Sequence, residues 1–239
     1  MIELTNVSKS YNRGTVKAVD SLSLTVRPGE IFGFLGPNGA GKTTTIKMMV
    51  GLLSPDSGSI RINSVDATKQ PLESKRQIGF VPDNPDLYDR LTGMEYLNFV
   101  ADIFRVPAET RRQRIKHYLE VFELTGAAGD LIQSYSHGMK QKLALTAALL
   151  HDPAVFILDE PLVGLDPRSA HLLKEILREH CNAGHTVFFS THILEVAERL
   201  CDRIGIISRG RLIACGTMDE LRGQGSESLE KIFLELTEQ

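Results

Sequence analysis

The sequence predicts an α/β fold with a mainly parallel sheet, and three observations carry that prediction. Short, mostly apolar runs recur at residues 31–35, 78–81, 155–158, 187–189 and 204–207. They are continuous rather than alternating, as strands covered on both faces should be. Helical patterns lie between them, the order expected of a parallel sheet. The first run also leads through a glycine-rich turn into a helical segment, 42–53.

The chain has 239 residues, enough for one large domain or for a core with an inserted subdomain. Hydrophobic residues make up 42% and charged residues 24%, which is ordinary globular usage and argues against disorder. A net charge of −3 gives no global electrostatic reason to bind nucleic acid, and no nucleic-acid partner is expected. Cys181, Cys201 and Cys215 are widely spaced and form no CxxC pair, so they are read as reduced thiols. The start, Met1-Ile2-Glu3-Leu4-Thr5, lacks the pattern of a signal peptide. Apolar runs such as Ala154-Val155-Phe156-Ile157-Leu158 fall far short of the ~20 residues needed to span a bilayer. A soluble protein is expected, with any membrane role supplied by a partner.

Residues 84–150 have a different texture. Thr92-Gly93-Met94-Glu95 has capping-box spacing and is followed by Tyr96, Leu97, Phe99, Val100, Ile103 and Phe104 at helical intervals. Pro107 precedes a second helical pattern, 108–124, and a third runs from about Gly138 to His151. Three helices without a clear strand predict a helical subdomain at 84–150, inserted into an α/β core formed by 1–83 and 151–216. Residues 217–239 are read as a helical extension. The basic run Arg111-Arg112-Gln113-Arg114-Ile115-Lys116 is read as a solvated helix face.

Gly36-Pro37-Asn38-Gly39-Ala40-Gly41-Lys42-Thr43 fits GxxxxGK[ST] at every defined position. At average usage those positions would match by chance in roughly 1% of chains this long. The flanking strand and helix make the match more specific still. Glycines let backbone N–H groups converge on phosphate oxygens, and the helix start adds a favourable dipole. Lys42 supplies positive charge to the outer phosphates, Thr43 a hydroxyl for Mg²⁺, and Thr44 completes the nucleotide-binding set.

Val155-Phe156-Ile157-Leu158-Asp159-Glu160 is an apolar strand ending in two acids, at the edge where ligands of open α/β sheets collect. Strand alternation would send the acids to opposite sides and give them different tasks. Asp159 is expected in the Mg²⁺ shell, and Glu160 is expected to act as the general base on water.

Together these motifs resemble the ATP-binding subunits of ABC transporters over nearly the whole chain. Pro161-Leu162-Val163-Gly164-Leu165-Asp166-Pro167 is similar to the family's D-loop, and Ser190-Thr191-His192 to its switch histidine. Tyr135-Ser136-His137-Gly138-Met139-Lys140-Gln141 stands at the signature segment, whose common form is Leu-Ser-Gly-Gly-Gln. The resemblance implies a P-loop NTPase core with a small antiparallel β region, and ATP with Mg²⁺ as cofactors. It implies that Tyr11 stacks on adenine, that His192 contacts the γ-phosphate, and that Ser136 and Gly138 bind ATP held by an opposite subunit. The family usually carries glutamine where this chain has Asp83, in Val81-Pro82-Asp83-Asn84; Asp83 is expected in the metal shell.

The resemblance further implies transmembrane permease subunits, a second ATP-binding subunit (identical or related), and a peripheral position on the cytoplasmic face of the membrane. A soluble ABC ATPase of translation or DNA repair is the alternative. Such proteins carry two cassettes or a long coiled coil, and this chain has neither. The signature segment and the tail at 228–237 resemble ABC-2-type exporters, so export is favoured over import.

Overall fold

In the computed structural model, residues 1–223 and 228–237 are described. The expected extension at 217–239 therefore lies partly outside the described residues.

Two sheets form the core. The larger has six strands in the order β10 (Arg211–Gly216), β9 (Arg203–Ser208), β3 (Ile31–Leu35), β8 (Thr186–Thr191), β7 (Val155–Asp159), β6 (Ile78–Val81). Its neighbours are parallel except for the β10–β9 edge hairpin. The second sheet is antiparallel, ordered β2 (Val16–Val26), β1 (Ile2–Tyr11), β4 (Ser57–Ile62), β5 (Val65–Asp66).

The central strands are buried throughout, and their side chains alternate between two cores, as a period of two requires. Phe32, Phe34, Val155, Ile157 and Phe188 face the antiparallel sheet and helix α1 (Lys42–Met49). Ile31, Phe156, Leu158, Val187 and Phe189 face the opposite core, shared with helices α3 (Gly93–Ile103), α4 (Ala108–Val121), α5 (His137–Leu149) and α6 (Pro167–Asn182). This two-sided burial explains the unbroken apolar runs.

The remaining helices are α2 (Pro71–Arg76), α7 (Leu194–Leu200), α8 (Met218–Arg222) and α9 (Leu229–Thr237). Between β6 and β7 the regular elements are α3, α4, α5 and two 3₁₀ turns, with a single isolated bridge joining Thr92 and Leu131. Thr92 caps α3 through a reciprocal box with Glu95. Ser136 caps α5 by accepting the Met139 N–H at 3.2 Å.

Helix α1 is shorter than the 42–53 segment read from sequence. At Gly51 (φ +69°) the chain turns, and the Leu52 and Leu53 N–H groups both donate back to the Lys47 carbonyl. No helix among the described residues is long and apolar enough to cross a membrane.

Candidate nucleotide-binding site

Parallel pairing brings the carboxyl ends of β3, β8, β7 and β6 side by side, and the candidate residues leave the sheet at that edge. The loop after β3 supplies residues 36–41, β6 leads to Asp83, β7 ends in Asp159 and Glu160, and β8 leads to His192. A cleft of about 240 Å³ is lined by Ala18, the loop and helix start from Pro37 to Thr44, Asp83, Asp159 and Glu160.

Glycine is required in the loop for two separate reasons. Gly41 has φ +111°, and a Cβ there would lie 2.4 Å from the Ala18 carbonyl oxygen. At Gly36 the obstacle is the Ile207 carbonyl, 2.5 Å from where a Cβ would sit. Backbone bonds fix the loop: Ala40 N–H donates to Pro37 O, and Gly210 N–H to Ala40 O. The loop then opens α1, whose first N–H groups have no acceptor within the helix and point toward the cleft end, as anion binding requires.

Lys42 is only 8% exposed, and its Nζ donates to Gly36 O at 2.6 Å and Pro37 O at 3.3 Å. Burial lowers its pKa, opposed by the charges of Glu160 and Asp159. Asp159 is 3% exposed and accepts hydrogen bonds from Thr43 Oγ1 at 3.1 Å and from the Ser190 hydroxyl. Burial raises its pKa against those two bonds, and the nearby charges of Asp83 and Glu160 push it the same way. The cleft thus holds excess negative charge for its one buried lysine.

Alternation along β7 does not separate the two acids. Glu160 leaves the strand with φ +48°, in the left-handed region, and both carboxylates line the cleft. Its Oε1 lies 2.9 Å from His192 Nδ1, and Oε2 accepts the His192 N–H at 3.4 Å. Asp83 lines the same cleft and accepts the Asn84 N–H at 2.9 Å. Tyr11, 40% exposed, brings its hydroxyl to 3.5 Å from Thr44 Oγ1, beside the loop.

Ser136 and Gly138 are not among the residues lining this cleft. They stand at the start of α5, where Gly138 and His137 pack on the loop after Glu160. A Cβ on Gly138 would lie 2.8 Å from Gly164 O, and one on Gly164 would lie 2.5 Å from His137 Cδ2. Lys142 pairs with Asp166 at 2.8 Å and holds its carboxyl well below the usual carboxylate range.

No local sequence pattern marks Ser190 or Ala18 as site residues, yet Ala18 lines the cleft and Ser190 bonds to Asp159. Ser190 stands opposite Asp159 in the β7–β8 register, a relation that exists only once the strands are paired.

The ABC transporter family profile matches residues 19–163. The Nod factor export ATP-binding protein I of Paraburkholderia xenovorans is 42% identical over 220 residues, covering 92% of this chain and 72% of that protein. A solved ATP-binding subunit of an ABC transporter superposes with a TM-score of 0.94 at 35% identity, covering 99% of each chain. An ATP-binding cassette solved as a dimer in a post-hydrolysis state, bound to ADP and Pi, matches with a TM-score of 0.82 at 26% identity, over 91% of this chain and 99% of that one. Cleft, fold and relatives agree: the chain belongs to the ABC transporter family, as an ATP-binding subunit that hydrolyses ATP.

Proposed function

We propose that the chain is the motor of an export system, closing with a second ATP-binding subunit around two ATP molecules. The observation that carries this is the division of the phosphate-binding parts. The loop, Lys42 and the carboxylates share one cleft, while the serine-capped start of α5 is not among the residues that line it. A helix start with a serine hydroxyl and unpaired N–H groups is an anion site in search of an anion. A facing subunit's γ-phosphate fits Ser136 and Gly138, and the dimeric relative solved with ADP and Pi supports that reading. The export relative supports the direction, and the relatives favour transport over a soluble role in translation or DNA repair.

Adenine stacks on Tyr11, and the phosphates run along residues 36–44. Lys42 leaves its two carbonyls for the outer phosphates. Thr43, Asp159 and Asp83 offer only oxygen donors, the set a hard cation takes, and they fit Mg²⁺. Bound there, Mg²⁺ supplies charge neutralisation at the phosphate oxygens. Glu160 accepts the proton of the attacking water as its oxygen bonds to the γ-phosphorus. The bond to the β–γ bridging oxygen breaks, and ADP leaves with that electron pair. His192, held against Glu160, orients that base and contacts the γ-phosphate.

Permease subunits dock on the 84–150 subdomain. A groove of about 280 Å³ there is lined by Phe80, Leu87, Tyr96, Ile103 and Phe104, among others. Tyr88, Phe99 and Ile103 are large apolar side chains left exposed around it. Such docking places the chain on the cytoplasmic face of the membrane.

Specific ATPase activity measured across protein concentrations tests the composite site. Activity per chain that rises with concentration is expected. Activity per chain that stays constant at all concentrations would place every needed group within one chain.

A further inference from the structure

At the amino ends of β7 and β8, across the sheet from the phosphate loop, three side chains of metal-binding type converge. Asp152, His180 and His185 each offer one ligating atom, and these atoms lie within 4.8 Å of one another. We propose that this cluster binds a Zn²⁺ ion, with water in the remaining position.

The backbone holds the two histidines face to face. Helix α6 ends at Asn182, and the turn that follows closes with Gly184 N–H donating to Cys181 O and His185 N–H to His180 O. Gly184 has φ +90°, which a side chain would strain. The rings stack with centroids 4.5 Å apart. His180 is nearly buried, lies edge-on to Phe156, and shares a hydrogen bond with Pro153 O at 2.8 Å, so its ring cannot rotate freely.

Asp152 is oriented from outside the cluster. One carboxylate oxygen accepts from Arg114 at 3.1 Å; the other faces His185 Nε2 at 3.7 Å. That second distance is too long for a hydrogen bond. It is close to the ~3.4 Å between two ligands of a tetrahedral zinc with bonds of about 2.0–2.1 Å. Among the described residues, the ring of His185 has no hydrogen-bond partner. The ring nitrogen of His185 and the Asp152 carboxylate therefore face each other without a hydrogen bond, at a separation that a shared cation would bridge.

Two further features favour the ion. The site lies at the C-terminus of α6, where the helix dipole favours positive charge. Two imidazoles and a carboxylate suit zinc better than magnesium or calcium. Asp152 and His185 lie toward the surface, so they can rotate inward to complete the coordination. The ion would tie the turn before β7 to the turn before β8.

The test uses the full chain, stripped with EDTA and dialysed, and titrated with ZnCl₂ by calorimetry and with Co²⁺ by absorption. One equivalent bound with micromolar or tighter affinity is expected, with tetrahedral Co²⁺ bands. His185→Ala and Asp152→Asn should each weaken binding by at least about tenfold, as ligand loss exceeds the usual effect of losing an outer partner. His192→Ala, which alters the nucleotide site, should leave it unchanged. Circular dichroism checks that each variant is folded. No stoichiometric binding would overturn the proposal, as would binding that survives His185→Ala or is lost in His192→Ala.

Discussion

Replacing Lys42 by alanine should separate nucleotide affinity from the stability of the empty protein. The ammonium is desolvated and donates to Gly36 O and Pro37 O, so it straps the loop to the helix start. On the proposed reading it exchanges carbonyls for phosphate oxygens on binding, and that exchange should gain a charge-assisted bond worth about 1.5–3 kcal/mol. At 1.4 kcal/mol per tenfold, ATP affinity should fall by roughly 10- to 150-fold. The empty protein should change much less. Loss of the strap is partly offset by relief of the buried charge, a net cost of about 1 kcal/mol, or roughly 2–4 °C in Tm for a chain this size. Titration with a fluorescent ATP analogue in EDTA removes any contribution from Mg²⁺, and a thermal melt without nucleotide reads the second quantity. Affinity within about threefold of wild type would refute the assignment of Lys42 to the phosphates.

Other expectations follow from single contacts. Gly41→Ala forces a Cβ against the Ala18 carbonyl at positive φ; strain of about 1–3 kcal/mol should lower Tm by several degrees and abolish ATP binding. A normal melt with normal binding would mean the loop adapts. Asp83→Gln removes one carboxylate from the cluster that raises the pKa of Asp159, so Asp159 should ionise more readily while half-maximal ATPase activity moves to higher Mg²⁺. An unchanged Mg²⁺ dependence would take Asp83 out of the metal shell. Burial pushes His151 down to about 4 from 6.5, so as pH falls through that window the unfolded chain takes the proton first. Stability should drop by up to about 3 kcal/mol between pH 6.5 and 4. His151→Phe should flatten that dependence in denaturant melts; an identical slope would refute it.

The sequence made the centre of the fold legible because its strands are buried on both faces. Residues 31–35 and 78–81 match β3 and β6. The other three runs were read short, since Asp159, Thr186, Ser190, Thr191, Arg203 and Ser208 extend β7, β8 and β9 with polar ends. The antiparallel sheet was anticipated only through the family resemblance. Strand β1 begins with alternation at Ile2 and Leu4, but Asn6 at φ +48° and shifts in register break the period. The phosphate loop and the Asp159–Glu160 pair were readable as local patterns and meet in one cleft. Ser190 on Asp159, His192 on Glu160 and Lys142 on Asp166 could not be read, because each depends on which strands and loops become neighbours.

The proposed cycle has two ATP-binding subunits close on ATP and open on hydrolysis. Size-exclusion chromatography with light scattering on Glu160→Gln, with and without ATP–Mg²⁺, tests it most directly. The substitution keeps the side chain's size and removes the proposed base, with an expected loss of about 10²–10⁴ in rate. A monomer is expected without nucleotide and a dimer with ATP–Mg²⁺. A variant that binds ATP yet stays monomeric would contradict closure between two copies of this chain.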